Sequence, residues 1–289
     1  MRAEEERLRT LVRELGSALV AFSGGVDSTV LLKVAVEELG VDSVLAVTAV
    51  GEVYPEAESR AASLTAARLG VRHRVLRQDK LSIPGFASNP PDRCFLCRSD
   101  LYRALLGLAA EERLAAVVDG ANADDAGDYR PGMAAAVRLG VRSPLLEAGL
   151  TKAQVRELAR RLGLPEADRL SSPCLASRIP YGEGISAQKL RMIEQAETVL
   201  RHLGFAQVRV RHRGELASIE VEEKELPRLV EESVRRAIVH HLRELGFGYV
   251  TVDLEGFRSG SLNRGLGAAA KPVTQHSRGV LCDREDEQG

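Results

Sequence analysis

The run Ser23-Gly24-Gly25-Val26-Asp27-Ser28 sets two hydroxyls, two glycines and a carboxylate side by side. Glycines let the backbone approach an anion without side-chain clash, and the first turn of a following helix supplies free N–H groups and partial positive charge. Ser23 and Ser28 add hydroxyl donors, so an oligophosphate fits there. A carboxylate would be repelled by bare phosphate. Asp27 therefore calls for a divalent cation between them, and the reading is ATP with Mg²⁺. The run lacks the lysine of the Gly-x-x-x-x-Gly-Lys-Ser/Thr loop, which argues against ordinary γ-phosphoryl transfer. The plain alternative is a glycine turn closed by a serine cap.

A second set of reactive residues is Cys94 and Cys97, in Asn89-Pro90-Pro91-Asp92-Arg93-Cys94-Phe95-Leu96-Cys97, and Cys174, in Pro173-Cys174-Leu175-Ala176-Ser177-Arg178. The Cys-x-x-Cys spacing lets two sulfurs point at one centre. A helix expected to begin near Arg98 would favour their thiolate forms. With Cys174 a third sulfur can join them at the mouth of the sheet, and zinc, a disulfide and an iron-sulfur cluster all remain open. Zinc in a closed site normally takes a fourth Cys or His, and no His stands beside any of the three. A cubane usually takes four cysteines, so three would leave one iron open to an exogenous ligand such as hydrosulfide. Buried thiols with no redox role are the alternative for Cys94 and Cys97. Cys282, in a polar tail, is assigned no role.

The elements that must position these residues follow from apolar spacing. Residues 18–22 read as a strand running into the glycine turn, and 29–39 as a helix closed by Gly40. Residues 43–50 and 71–76 read as strands around a helix at 57–69. A helix at 101–114 leads to a strand at 115–119, and Thr151 caps a helix at 151–162. The alternation predicts an α/β fold, a parallel sheet with helices on both faces, whose polar loops gather at the strand C-termini where ligands bind. Residues 165–184 are irregular and rich in Pro, Ser and Gly. Beyond them the pattern is helix (187–203), strands (207–212 and 216–221), helix (226–245) and strand (249–254), a small α+β unit. The expected division is 1–165 nucleotide domain, 166–184 cysteine-bearing loop and linker, 185–267 small substrate or oligomerisation domain, and 268–289 flexible tail.

Composition narrows the class. Lys plus Arg number 40 against 41 Asp plus Glu, so no global basic field draws in nucleic acid. No apolar run approaches the roughly 20 residues that cross a bilayer, and residues 1–15 lack the apolar centre of a signal peptide. The expected location is the cytoplasm, where four cysteines are better read as ligands or nucleophiles than as a disulfide framework.

At the glycine turn the sequence resembles the PP-loop ATP pyrophosphatases, which split ATP between the α and β phosphates and pass AMP to a substrate. With residues 90–97, 119–131 (Asp-Gly-Ala-Asn-Ala-Asp-Asp-Ala-Gly-Asp-Tyr-Arg-Pro), 172–182 and 250–263 the resemblance narrows, over 18 to about 263, to the LarE family of ATP-dependent sulfurtransferases. The resemblance implies adenylation of a pyridinium biscarboxylic acid mononucleotide and conversion of the carboxylate to a thiocarboxylate. The product goes on to a nickel-insertion enzyme, yielding the nickel-pincer cofactor of lactate racemase. In one version of the family chemistry a lone cysteine at the Cys174 position gives up its own sulfur and becomes dehydroalanine. Members with the added Cys-x-x-Cys resemble cluster enzymes, so Cys94, Cys97 and Cys174 are expected to hold a [4Fe-4S] cluster that delivers sulfide.

Arg178, Arg209 and Arg211 are candidates for the mononucleotide phosphate, since arginine meets phosphate with paired donors and alternation puts Arg209 and Arg211 on one strand face. Glu197, Asp125 and Asp128 are further candidates for metal or substrate contacts. A homo-oligomer, trimer or hexamer, is expected because so few C-terminal strands rarely stand alone. The rival readings are a PP-loop tRNA thiolation enzyme, which would need a basic RNA-binding face, and a non-catalytic nucleotide or iron-sulfur sensor.

Overall fold

The computed structural model describes residues 2–127, 131–170, 173–258 and 262. Asp128, Cys282 and the expected tail lie outside them. Helix α1 (Arg2–Arg13) precedes strand β1 (Ala18–Ala21), and the chain then alternates through α2 (Val26–Leu39), β2 (Val44–Val50), α3 (Glu56–Arg68), β3 (Arg72–Arg77), α4 (Arg93–Glu111) and β4 (Ala116–Val118). The strands form one parallel sheet in the order β3-β2-β1-β4, with Ala18 opposite Val44 on one side and Ala116 on the other. The connections after β1 run one way to β2 and β3 and then return to the far side of β1. The switch point lies between the C-termini of β1 and β4, where open sheets of this kind bind ligands.

Both faces are covered, as the apolar strands require. Ala18 and Val20 of β1 face a core shared with α1, α2, α3 and the later α7 (Lys152–Arg161), while Leu19 faces α4 and α5 (Pro131–Leu139). The short α6 (Pro144–Glu147) was not foreseen, nor was α5. Thr151 begins α7 with a full capping box, its side chain accepting from the Gln154 N–H while Gln154 reaches back to the Thr151 N–H.

A second sheet follows α8 (Ala187–His202): β5 (Val208–Arg213) pairs antiparallel with β6 (Leu216–Val221), and β6 pairs parallel with β7 (Tyr249–Val252). The single helix expected at 226–245 is two, α9 (Leu226–Leu229) and α10 (Glu232–Glu244). The break comes at Glu231, which takes an extended conformation before α10, although the apolar spacing runs on across it. α8 joins the two halves. Its Leu190 and Ile193 pack with Val53, Phe86, Leu175 and Ile179, while Ala196 and Leu200 enter the core of the second sheet. Glu194 also accepts the first N–H of α3 at 2.7 Å, a carboxylate at the positive end of a helix.

Candidate functional site

The glycine turn joins β1 to α2 at the switch point. Gly24 sits at φ 72°, and a Cβ there would lie 2.9 Å from Ala62 Cα, so glycine is required both by conformation and by the close passage of α3. Ser23 and Ser28 close the turn: their hydroxyls lie 3.1 Å apart, Ser28 Oγ donates to Gly25 O, and Ser23 Oγ accepts the Gly25 N–H. Among the described residues no side chain caps the start of α2. Its first N–H groups therefore face the switch point as an anion site.

Two neighbours of this turn, Lys152 and Arg169, carry no signal in the sequence pattern, and a third, Asn122, lies in the 119–131 block. Lys152, the first residue of α7, pairs through Nζ with the Asp27 carboxylate, and Asn122 Nδ2 donates to the same group at 3.3 Å. Arg169 donates to Gly24 O at 3.1 Å and to Glu58 at 2.8 Å, fixing the carbonyl side of the turn. On the β4 side Gly120 packs against the turn; a Cβ there would lie 3.0 Å from Ser28 N. Asp125 accepts the Asn122 N–H, shaping this second loop.

Cys94 and Cys97 lie within α4, which begins at Arg93, five residues before the expected start. All three described cysteines are free thiols and half-buried. The expectation of lowered thiol pKa values is corrected: burial raises both, Cys94 further through the charge of Cys174, and Cys97 to about 11 despite the opposing charge of Lys80. Burial can move a thiol by several units, whereas a helix terminus contributes only about 0.3–1 kcal/mol. Tyr54 lies beside Cys97 and Cys174; burial and then the charges of both sulfurs raise its phenol well above the ordinary value.

Asn89 brings the cysteine segments together. Held at φ 58°, it donates through Nδ2 to the carbonyls of Ile179, Pro180 and Glu183, and its Oδ1 accepts from Arg93 Nη1. Arg93 Nη1 also donates to Ala176 O at 2.9 Å, its Nε has no hydrogen-bond partner among the described residues, and Leu175 N donates to Val53 O. The loop before α4 is thus stapled to the linker that bears Cys174. Lys80, fully buried, anchors the far side by donating to Gln78, Cys97 O and Asp100.

A chain of hydrogen bonds runs from Arg98, the residue after Cys97, to the β4 loop that packs on the glycine turn. Arg98, next to Cys97, donates to Tyr102 Oη at 2.6 Å, and Tyr102 donates to Asp119. Burial, against the opposing charge of Arg98, raises the Tyr102 phenol and keeps it a donor. Asp119 also accepts from Ser143 at 2.7 Å and from the Ala121 N–H, which orders the loop containing Gly120.

The three arginines are buried, with partners inside the protein. Arg178 meets Glu197 through Nε and Nη2 at 2.7 and 3.0 Å and holds Pro173 O and Cys174 O through Nη1. Arg211 makes a paired contact with Glu220 and donates to Ser177 O. Arg209 lies over the Phe257 ring, and burial followed by the charge of Arg178 lowers it to about 10. Burial alone would raise Glu197, but the charge and hydrogen bonds of Arg178, with Arg209 and Arg201, hold it below the ordinary glutamate value. Arg178 thereby ties the Cys174 segment to α8.

No family model matches the chain. Among curated proteins it is 43% identical over 261 residues to an uncharacterized protein of Synechocystis, covering 90% of this chain and 97% of that one. It is 39% identical over 252 residues to a pyridinium-3,5-bisthiocarboxylic acid mononucleotide synthase of Lactiplantibacillus plantarum, covering 87% and 91% respectively. A more partial likeness, 34% over 161 residues and 40% of the relative, is to an argininosuccinate synthase of Halobacterium salinarum.

Proposed function

The chain belongs to the family of the pyridinium-3,5-bisthiocarboxylic acid mononucleotide synthase, a sulfurtransferase family of the PP-loop superfamily, and from that premise we propose its substrate and the part each residue plays. The substrate is a pyridinium biscarboxylic acid mononucleotide, adenylated by ATP and converted to its thiocarboxylate. The observation that carries this reading is the grouping of three free thiols, Cys97 and Cys174 beside Tyr54 and Cys94 within reach of the Cys174 charge, with Arg98, Tyr102 and Asp119 running from them to the loop packed on the glycine turn.

ATP lies over Ser23, Gly24, Gly25 and Ser28, its phosphates facing the uncapped start of α2. Asp27 is the proposed Mg²⁺ ligand; one carboxylate completed by phosphates and water is a donor set Mg²⁺ accepts. The cation Lys152, which neutralises Asp27 in this structure, passes to the phosphates when the metal takes its place. A substrate carboxylate oxygen attacks the α-phosphorus, the bond to the bridging oxygen breaks, and pyrophosphate leaves. Sulfur then attacks the acyl carbon, and AMP departs with the electron pair of the acyl–oxygen bond.

Cys94, Cys97 and Cys174 are the proposed holders of a [4Fe-4S] cluster. Their chemistry fits: beyond the effect of burial, the charge of Cys174 raises Cys94 and the charges of Cys174 and Cys94 raise Cys97, and Lys80, Arg93 and Arg98 surround these sulfurs with the positive charge that an anionic thiolate set calls for. When bound, such a cluster supplies one iron with an open position for exogenous sulfide. Arg209 and Arg211 are proposed to meet the substrate phosphate, and Arg178 to fix Glu197 and the Cys174 segment beside them. An arginine held below its ordinary value by burial and then by a like charge gains from a nearby anion. Among the described residues no helix is long and apolar enough to cross a membrane. The proposed setting is the cytoplasm, with a homo-oligomeric enzyme passing its product to a nickel-insertion enzyme.

The test is pyrophosphate and thiocarboxylate formation by anaerobically reconstituted protein given ATP, sulfide and the pyridinium substrate. Both are expected. Pyrophosphate release driven by tRNA in place of the pyridinium compound would sink the reading, as would ATP binding without cleavage.

A further inference from the structure

α10 carries two adjacent histidines, His240 and His241, both exposed. Consecutive helix residues point about 100° apart and do not ordinarily face each other. Here the rings lie 5.2 Å apart. The cause is Glu244, at the i+4 position from His240 and the i+3 position from His241, the two spacings that share a helix face. His240 Nε2 is 3.4 Å from Glu244 Oε1, and His241 Nδ1 is 3.5 Å from Glu244 Oε2. One ligand atom from each of the three lies within 4.8 Å of the other two, a closeness that no other trio of His, Cys, Asp or Glu reaches among the described residues. A tetrahedral site with bonds of about 2.1 Å has a ligand–ligand edge of roughly 3.4 Å, and each imidazole nitrogen already lies at about that distance from one of the two carboxylate oxygens.

We infer that His240, His241 and Glu244 form a surface site for a divalent transition metal ion such as Zn²⁺, Co²⁺ or Ni²⁺, separate from the three thiols. Two imidazoles and a carboxylate suit ions of this borderline softness, and water completes the coordination. Because the ligands are already exposed, no buried charge has to be created. The opposing effect is positive charge: Arg235, Arg236 and Arg243 border the same groove. Arg236 is paired with Glu232 at 2.5 Å, and salt screens much of the rest at this exposure. The site is therefore an exchangeable one, filled when metal is in excess.

Anaerobic titration of the full chain with Co²⁺ under reducing conditions separates this site from the thiols by spectrum. Cobalt held by sulfur shows strong thiolate-to-metal charge transfer, whereas cobalt held by imidazole and carboxylate shows weak visible bands alone. One equivalent of the second kind is expected, lost in His240→Ala and in His241→Ala and weakened by about tenfold or more in Glu244→Gln. The sulfur-bound fraction stays unchanged in all three, and the exposed positions leave the thermal melt where it was. A parent chain that takes up no sulfur-free cobalt overturns the assignment. So does a sulfur-free equivalent that persists in the His240→Ala/His241→Ala double variant.

Discussion

Lys152 and Asp27 form an ion pair at the mouth of the parallel sheet, across a sequence separation of 125. The glycine turn lacks a lysine of its own, and this pair shows where one comes from: the first position of α7, beside the start of α2. On the proposed reading a metal arriving with ATP replaces Lys152 at Asp27 and leaves the ammonium beside the phosphates. Lys152→Met is expected to slow ATP-dependent pyrophosphate release by roughly 100-fold, the scale of losing one charged donor to a transition state. Both side chains are partly exposed, so the thermal midpoint stays close to that of the parent. Release at the parent rate in Lys152→Met would remove the lysine from the mechanism.

Asn89 is the hinge on which the convergence of the thiols turns. It takes a left-handed conformation and its side chain makes three donated contacts and accepts from Arg93. Asn89→Ala removes the three donated contacts and one of the two acceptors of Arg93 Nη1 and adds backbone strain, for an expected loss of about 3 kcal/mol in denaturant unfolding. Asn89→Gly removes the strain while keeping the lost contacts. It is expected to recover part of the stability without recovering the parent iron content after reconstitution. Full iron content in Asn89→Gly would show that the staple does not gather the thiols.

The parts of this arrangement legible in the sequence are the local ones. Gly40, Gly70 and Gly163 mark helix ends, Thr151 marks a helix start, and the alternation of short apolar runs with amphipathic segments gives the parallel sheet. The partners of the site residues are invisible because they are long-range: Arg169 reaches Gly24, and Asn89 reaches Ile179 and Pro180, only after the sheet has brought those loops together. The thiol acidities were misjudged for a related reason. A helix terminus can be seen in a sequence, but the burial that overrides it arises only once the fold packs Cys97 and Cys174 against the apolar cluster of Val53, Phe86 and Leu175. The arginines, read as free donors, have partners that depend on α8 and β6: Glu197 for Arg178 and Glu220 for Arg211.

Glu197 makes stability depend on pH. Its folded pKa is depressed, so the unfolded chain binds the proton more readily on the acid side. The stability it contributes is fully present above the ordinary glutamate value of 4.5 and is lost as pH falls through the lower folded value. Glu197→Gln is expected to flatten that acid limb of the unfolding free energy. It should also cost about 3–5 kcal/mol near neutrality, because Arg178 is left buried without its counter-charge. An acid limb as steep in Glu197→Gln as in the parent would mean that other carboxylates set it.

Cys174 separates the two ways of supplying sulfur. If its own sulfur were transferred, Cys94 and Cys97 would be dispensable for the first turnover, and the Cys94→Ser/Cys97→Ser double variant would still yield one thiocarboxylate per chain while Cys174 lost mass. Their shared pocket points the other way. Cys97 and Cys174 both adjoin Tyr54, and the charge of Cys174 raises Cys94. As thiolates such sulfurs repel, a repulsion that protonation relieves in the free protein and that, on the proposed reading, the cluster relieves when bound. The expected outcome is therefore that the double variant forms no thiocarboxylate even with sulfide supplied, and that intact-mass spectrometry after many turnovers of the reconstituted parent finds Cys174 unchanged. One product per chain from the double variant, with sulfur missing at Cys174, would assign the chemistry to sacrifice of that single residue.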